Sequence, residues 1–218
     1  MFVCPSILYA CRFRLFALIN RGKCNNCLVS AMKIYHLSGG PVQQTLYPIN
    51  DFLWVGLSGK LNVTFPEIPQ FCLSASEEAS LFEPRDCLAF DAASDGVLIS
   101  ERAHKLLGKI LMSSADFYSV DVLGLPYFWL NCFASFDALD HKLTVAEWHH
   151  VPGFQSFILS ASKMAFRSER LAKAPLIFRL PELPAGYLFA CEEFCQKVVK
   201  YGLSGFQFEL VWSSVMEG

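Results

Sequence analysis

The spacing of apolar and polar positions divides the chain into short elements. From Met32, KIYHL reads as a strand, ended by the break at Ser38, Gly39, Gly40 and Pro41. FLWVGLSGKLNVTF, within residues 52–66, places two short apolar runs around Gly59 and predicts a hairpin closed by Pro66 and Pro69. Residues 99–113, ISERAHKLLGKILMS, predict a helix. Ser100 stands where it caps the free amides, Ala103, Leu106, Leu107, Ile110 and Leu111 form one stripe, and His104 falls on the wetted side. Strand-like runs follow at 117–123 and 127–133, separated by Gly124, Leu125 and Pro126. The second run, YFWLNCF, is nearly all apolar and predicts a strand covered on both faces. Further strands are expected at 155–160 and 175–180. In FACEEFCQKVVKYGLSGFQFEL, Cys191, Phe194, Cys195 and Val198 share a helix face, Gly202 is a left-handed stop, and Phe206, Phe208 and Leu210 turn inward from a closing strand. A few short helices among many strands predict an α+β fold with a mixed or mainly antiparallel sheet. The expected divisions are 1–31, an extension upstream of a natural start at Met32; 32–95, a lighter N-terminal α+β part; and 96–218, a C-terminal domain.

Composition narrows the class. A hydrophobic share of 53%, 20 phenylalanines and only 17% charged residues exclude general disorder. The net charge of −2 hides an asymmetry: four of the 18 basic residues lie in 1–31 with no acid. That leaves 14 basic against 20 acidic residues in 32–218, a balance of −6. Such a body argues against a broad nucleic-acid surface and suits a basic partner. The first segment is apolar, but Arg12 and Arg14 interrupt it and no run approaches the length that spans a bilayer, so no membrane association is expected. Nine cysteines raise the question of metal or redox chemistry, yet no second CxxC or HxxxH completes a zinc set with Cys24 and Cys27. The thiols read as reduced, cytoplasmic and packed as small hydrophobes, with no metal or other cofactor expected. A zinc module on Cys24 and Cys27, the competing reading, would be lost with residues 1–31.

Catalytic signatures are missing. The chain has no GxGxxG, GxxxxGK[ST], HExxH or GxSxG. His149 and His150 are adjacent, so their side chains point to opposite sides and read as a structural or surface pair. Asp137 and Asp140 beside His141 resemble paired catalytic carboxylates. In a turn, however, such aspartates more simply accept hydrogen bonds from nearby backbone amides. The chain is therefore not expected to be an enzyme. The alternative is a small cytoplasmic enzyme using His141 or His149 with a carboxylate or thiol, which requires those groups to converge. Between Ser74 and Asp95 the sequence supplies Glu77, Glu78, Glu83, Asp86, Asp91 and Asp95 against the single Arg85, either as a solvated loop and helix surface or as an interaction face.

The C-terminal half carries a pattern: ISERAHKLLGKI, then YFWLNCFASFDALDHKLT, then PLIFRLPELPAGYLFACEEFCQKVVKYGLSGFQFEL. In order and spacing this series resembles the eleventh catalogued immunity family of bacterial polymorphic toxin systems, formerly a domain of unknown function. The matching pieces are Tyr127 to Asn131, Asp137 to Lys142, Ile177 to Leu180 and Gly202 to Phe208, within the stretch from Ile99 to Leu210. The N-terminal extension has no expected counterpart, and WHHVPGFQ falls where the pattern is loose. The resemblance implies no catalytic residues. It implies a cytoplasmic protein that binds a toxin domain encoded beside it and blocks it in the producing cell. The first candidate surface for that partner is Glu77, Glu78, Glu83, Asp86, Asp91 and Asp95, with Asp137 and Asp140 second.

Overall fold

A computed structural model describes residues 31–39, 46–48, 68, 70–73, 82–92, 94–150, 153, 156–183 and 187–215. The extension through residue 30, with Cys24 and Cys27, the hairpin expected in 52–66, and Glu77 and Glu78 lie outside the described residues. In chain order the elements are β1 (Lys33–Gly39), β2 (Leu46–Pro48), β3 (Gln70–Leu73), β4 (Cys87–Ala92), β5 (Ser94–Ser100) and α1 (Glu101–Leu111). There follow β6 (Ala115–Val122), β7 (Leu125–Cys132), β8 (Val145–His149), β9 (Phe157–Lys163) and α2 (Ser168–Leu171). The chain closes with β10 (Ile177–Phe178), β11 (Phe189–Cys191), α3 (Glu192–Lys200) and β12 (Phe206–Ser213).

The fold is α+β, with mainly antiparallel sheets and short helices. A six-stranded sheet runs β2-β3-β6-β7-β5-β4, antiparallel except for the β3–β6 pair. A four-stranded antiparallel sheet runs β10-β11-β1-β12, so β1 takes both partners from the far end of the sequence. β8 and β9 pair as a separate ribbon. No described helix is long and apolar enough to cross a membrane.

Burial explains this arrangement. The main core gathers Leu37 from β1, Val97 and Ile99 from β5, Leu107 and Leu111 from α1, Leu130 from β7, and Phe194 and Val198 from α3. The stripe expected on the first helix is thus real, although Leu106 at its edge is exposed. β7 is apolar on both faces because Leu130 and Cys132 enter the main core on one side while Tyr127 and Trp129 pack in a separate cluster on the other. On the other side of the four-stranded sheet, Phe166, Phe178, Phe189 and Trp212 form an aromatic core beneath the β8–β9 ribbon. A third cluster, with Phe71, Phe90 and Val122, covers the far face of the six-stranded sheet.

β1 packs directly on β4 at Gly39. A Cβ there would lie 2.0 Å from the Ala89 backbone nitrogen, so only a residue without a side chain permits the approach.

Several expectations shift. The acidic stretch is not simply loop and helix surface: β4 and β5 form a hairpin inside it, with Asp91 opposite Asp95 in register. The turn before β7 is Leu123 and Gly124, both at positive φ (52° and 83°), while Pro126 already lies in the strand opposite Asp121. Of residues 175–180 only Ile177 and Phe178 form a strand. The short helix α2 had no periodic signature.

Candidate functional site

Asp86, expected on an interaction surface, is instead a buried junction, 8% exposed. Its carboxylate accepts from Ser100 Oγ (2.8 Å), Arg102 Nη1 (2.7 Å), Ser204 N (2.9 Å) and Ser204 Oγ (3.2 Å). Burial alone would raise its pKa. The Ser204 amide, the Ser100 hydroxyl and the Arg102 guanidinium outweigh that and hold it below the ordinary carboxylate value. Ser100 Oγ also accepts from Ala103 N at 3.1 Å, so the expected helix cap and the buried acid form one network. Arg102 goes on to donate to the Tyr201 carbonyl (2.8 Å) and the Gly202 carbonyl (3.3 Å), tying the end of α3 to the start of α1. A buried acid this fully satisfied is unavailable to a partner.

The other expected acids differ. Glu83 is exposed and pairs with Arg85 at 3.1 Å. Asp91 and Asp95 stand near the end of the β4–β5 hairpin. Asp140 does what its turn position predicts: its carboxylate accepts from the amides of Lys142 (2.9 Å) and Leu143 (3.2 Å). Asp137 is held by arginines. Arg167 donates to its carboxylate and, at 2.9 Å, to its carbonyl, and Arg170 lies 3.5 Å from the second oxygen.

His141, which the sequence placed beside these aspartates, meets a carboxylate from a distant loop. Its Nε2 lies 2.7 Å from Glu182 Oε1, and its ring stacks on Trp148 with centroids 5.1 Å apart. Asp137, His141 and Glu182 bring one ligating atom each to within 4.8 Å of one another. Sequence reasoning missed Glu182 because PELP reads as a loop and 41 positions separate it from His141.

The remaining histidines do not join this cluster. His149 lies against Phe157 with centroids 5.0 Å apart, and His150 Nδ1 is 2.6 Å from Ser156 Oγ. His104 overturns its expectation. Instead of facing water it stacks on Phe128 (3.9 Å) and meets Phe117 edge-on (4.8 Å), because the small Gly108 leaves room for the ring beneath it. Burial lowers its pKa, with Glu101 opposing weakly. An NMR titration is therefore expected to place His104 below 6.5, and a midpoint at or above that value would mean a solvated ring. The unfolded chain then binds this proton more readily. The packing contributes stability above about pH 6.5 that declines as pH falls through the folded value.

Cys87, Cys132 and Cys195 are poor nucleophiles. Cys87 and Cys132 are fully buried, burial raises both thiols, and that of Cys132 is pushed up to about 11. Cys195 is pushed up to about 12, mainly by desolvation.

Compared with known proteins, the chain matches no family model and no curated protein.

Proposed function

We propose that this chain is an immunity protein that binds a cognate toxin domain and blocks it in the cell producing both. The observation that carries the reading is the ordered series of motifs over residues 99–210, considered together with what those residues do. Ser100 caps α1, Tyr127 Oη donates to the Arg85 carbonyl at 2.8 Å, and the Gly202 to Gly205 turn docks on Asp86 and Cys87. These are framework roles. A shared pattern that builds the frame leaves partner choice to the surface outside it, as expected of proteins that each select a different toxin. The acidic body favours a basic toxin, since complementary charge speeds association and rejects wrong partners.

Glu83 and the hairpin end bearing Asp91 and Asp95 are the face of choice. Asp86 is excluded by burial, Asp137 is held by two arginines and Asp140 by two backbone amides, whereas Glu83 makes only a solvent-exposed pair with Arg85. Co-expression with the toxin encoded beside this gene is expected to restore growth, and growth that stays arrested would defeat the reading. The combined change Glu83→Lys, Asp91→Lys and Asp95→Lys is expected to weaken toxin binding at least about tenfold. Unchanged affinity, with an unchanged circular dichroism spectrum, would move the interface elsewhere.

A further inference from the structure

Glu182 is only 4% exposed, yet among the described residues just one of its carboxylate oxygens has a partner. Oε1 faces His141, whereas Oε2 is buried with no hydrogen-bond donor among the described residues. A buried carboxylate is tolerated when its charge is neutralised and its lone pairs are filled. A half-exposed imidazole on one oxygen does only part of this. The place is also firmly built: Ile158 N donates to the Glu182 carbonyl at 2.8 Å, and Asp140 N to the Ala165 carbonyl at 2.8 Å. Both loops that bring the ligating side chains together are thereby anchored to the β9 region.

We infer that Asp137, His141 and Glu182 bind one divalent transition ion of the zinc type. One imidazole nitrogen with two carboxylate oxygens suits such an ion, whereas calcium takes six to eight oxygens. Three protein ligands leave a fourth position for water or a partner's side chain. Tetrahedral ligands at about 2.1 Å from an ion stand about 3.4 Å apart. The 2.7 Å contact between His141 and Glu182 must therefore open slightly, while Asp137 closes in. His141 and Asp137 are the half-exposed members and can make that adjustment; Glu182 is the fixed one. Arg167, which donates to Asp137 Oδ1 and to its carbonyl, then orients that carboxylate, as hydrogen-bonded groups commonly orient ligating carboxylates. The charge of Arg167 and Arg170 opposes that of the ion, so the affinity is moderate and should rise when Arg170 is neutralised.

The test uses the full chain, stripped of metal by a chelator and titrated with zinc alone by calorimetry and with cobalt by visible absorption. One ion per chain is expected, with weak cobalt bands and without the intense near-ultraviolet absorption that thiolate ligands produce. Trp148 fluorescence should change on binding, and Trp148→Phe should remove that change. His141→Ala and Glu182→Gln should each weaken binding at least about tenfold. Arg170→Gln should tighten it about threefold or more. No bound ion, thiolate bands, or affinity untouched by His141→Ala would overturn the site. His141 is exposed, so its variant decides the matter even if Glu182→Gln fails to fold.

Discussion

Gly205→Ala is expected to destabilise the protein by about 4 kcal/mol or more, whereas Gly202→Ala, three positions earlier, should cost about 1 kcal/mol. Both glycines sit in the left-handed region, at φ of 81° and 59°. Any other residue pays the backbone strain at either place. Their surroundings separate them. A Cβ on Gly205 would lie 2.2 Å from the Cys87 carbonyl oxygen and 2.9 Å from Arg85 Cβ, while on Gly202 the nearest atom is the exposed Arg102 guanidinium at 3.9 Å. The first clash is with the backbone of a core strand, which cannot yield without moving β4. Thermal unfolding should show the contrast directly: a fall of roughly 10 °C or more for Gly205→Ala against a few degrees for Gly202→Ala. Equal shifts would mean that the turn moves away from β4 without cost.

This contrast also marks what the sequence reveals. Gly202 announced itself, because it follows an amphipathic helix at the position where a left-handed stop belongs. Helix α1 was legible from Ser100 and its stripe, β7 from its apolar run, and β12 from its alternation, since each of these signals is local. Gly205 looked like an ordinary loop glycine; its necessity comes from Cys87, more than a hundred positions away. The same holds for β1, whose partners come from the end of the chain, and for Gly39, whose constraint is the Ala89 backbone. The hairpin β4–β5 was hidden because its acids gave it the composition of a surface segment.

The candidate sites follow the same rule. Asp140 was readable as a turn former because its partners are two and three residues away. His141 was singled out for the aspartates beside it, yet its closest carboxylate is Glu182 from another loop. Within ASEEASLFEPRDCLAF nothing distinguishes Asp86 from Glu83, and only the fold turns one inward and leaves the other in water. Charge runs report composition; which acid is free to meet a partner is decided by tertiary packing.

Asp86→Ala is the second substitution with a large expected effect, about 2–4 kcal/mol at neutral pH. Its partner Arg102 is half exposed, so that ion pair is screened and contributes little of the loss. Most of it comes from the donors left behind: the Ser204 amide and hydroxyl and the Ser100 hydroxyl all lose an acceptor in a place water reaches poorly. Asp86→Asn keeps the shape and one acceptor oxygen, and should cost less. The two variants are also distinguished by pH. The folded-state pKa of Asp86 lies below its unfolded value, so the folded chain binds this proton less readily than the unfolded one. The contribution is therefore complete above about pH 4, where the unfolded carboxyl is ionised, and is lost as pH falls through the folded value. Urea unfolding at pH 7 and at successively lower pH should show the gap between the native chain and Asp86→Asn narrowing below about pH 4. A gap that stays constant through that range would mean that the carboxylate charge contributes nothing and that only its shape holds α1, β4 and the closing turn together.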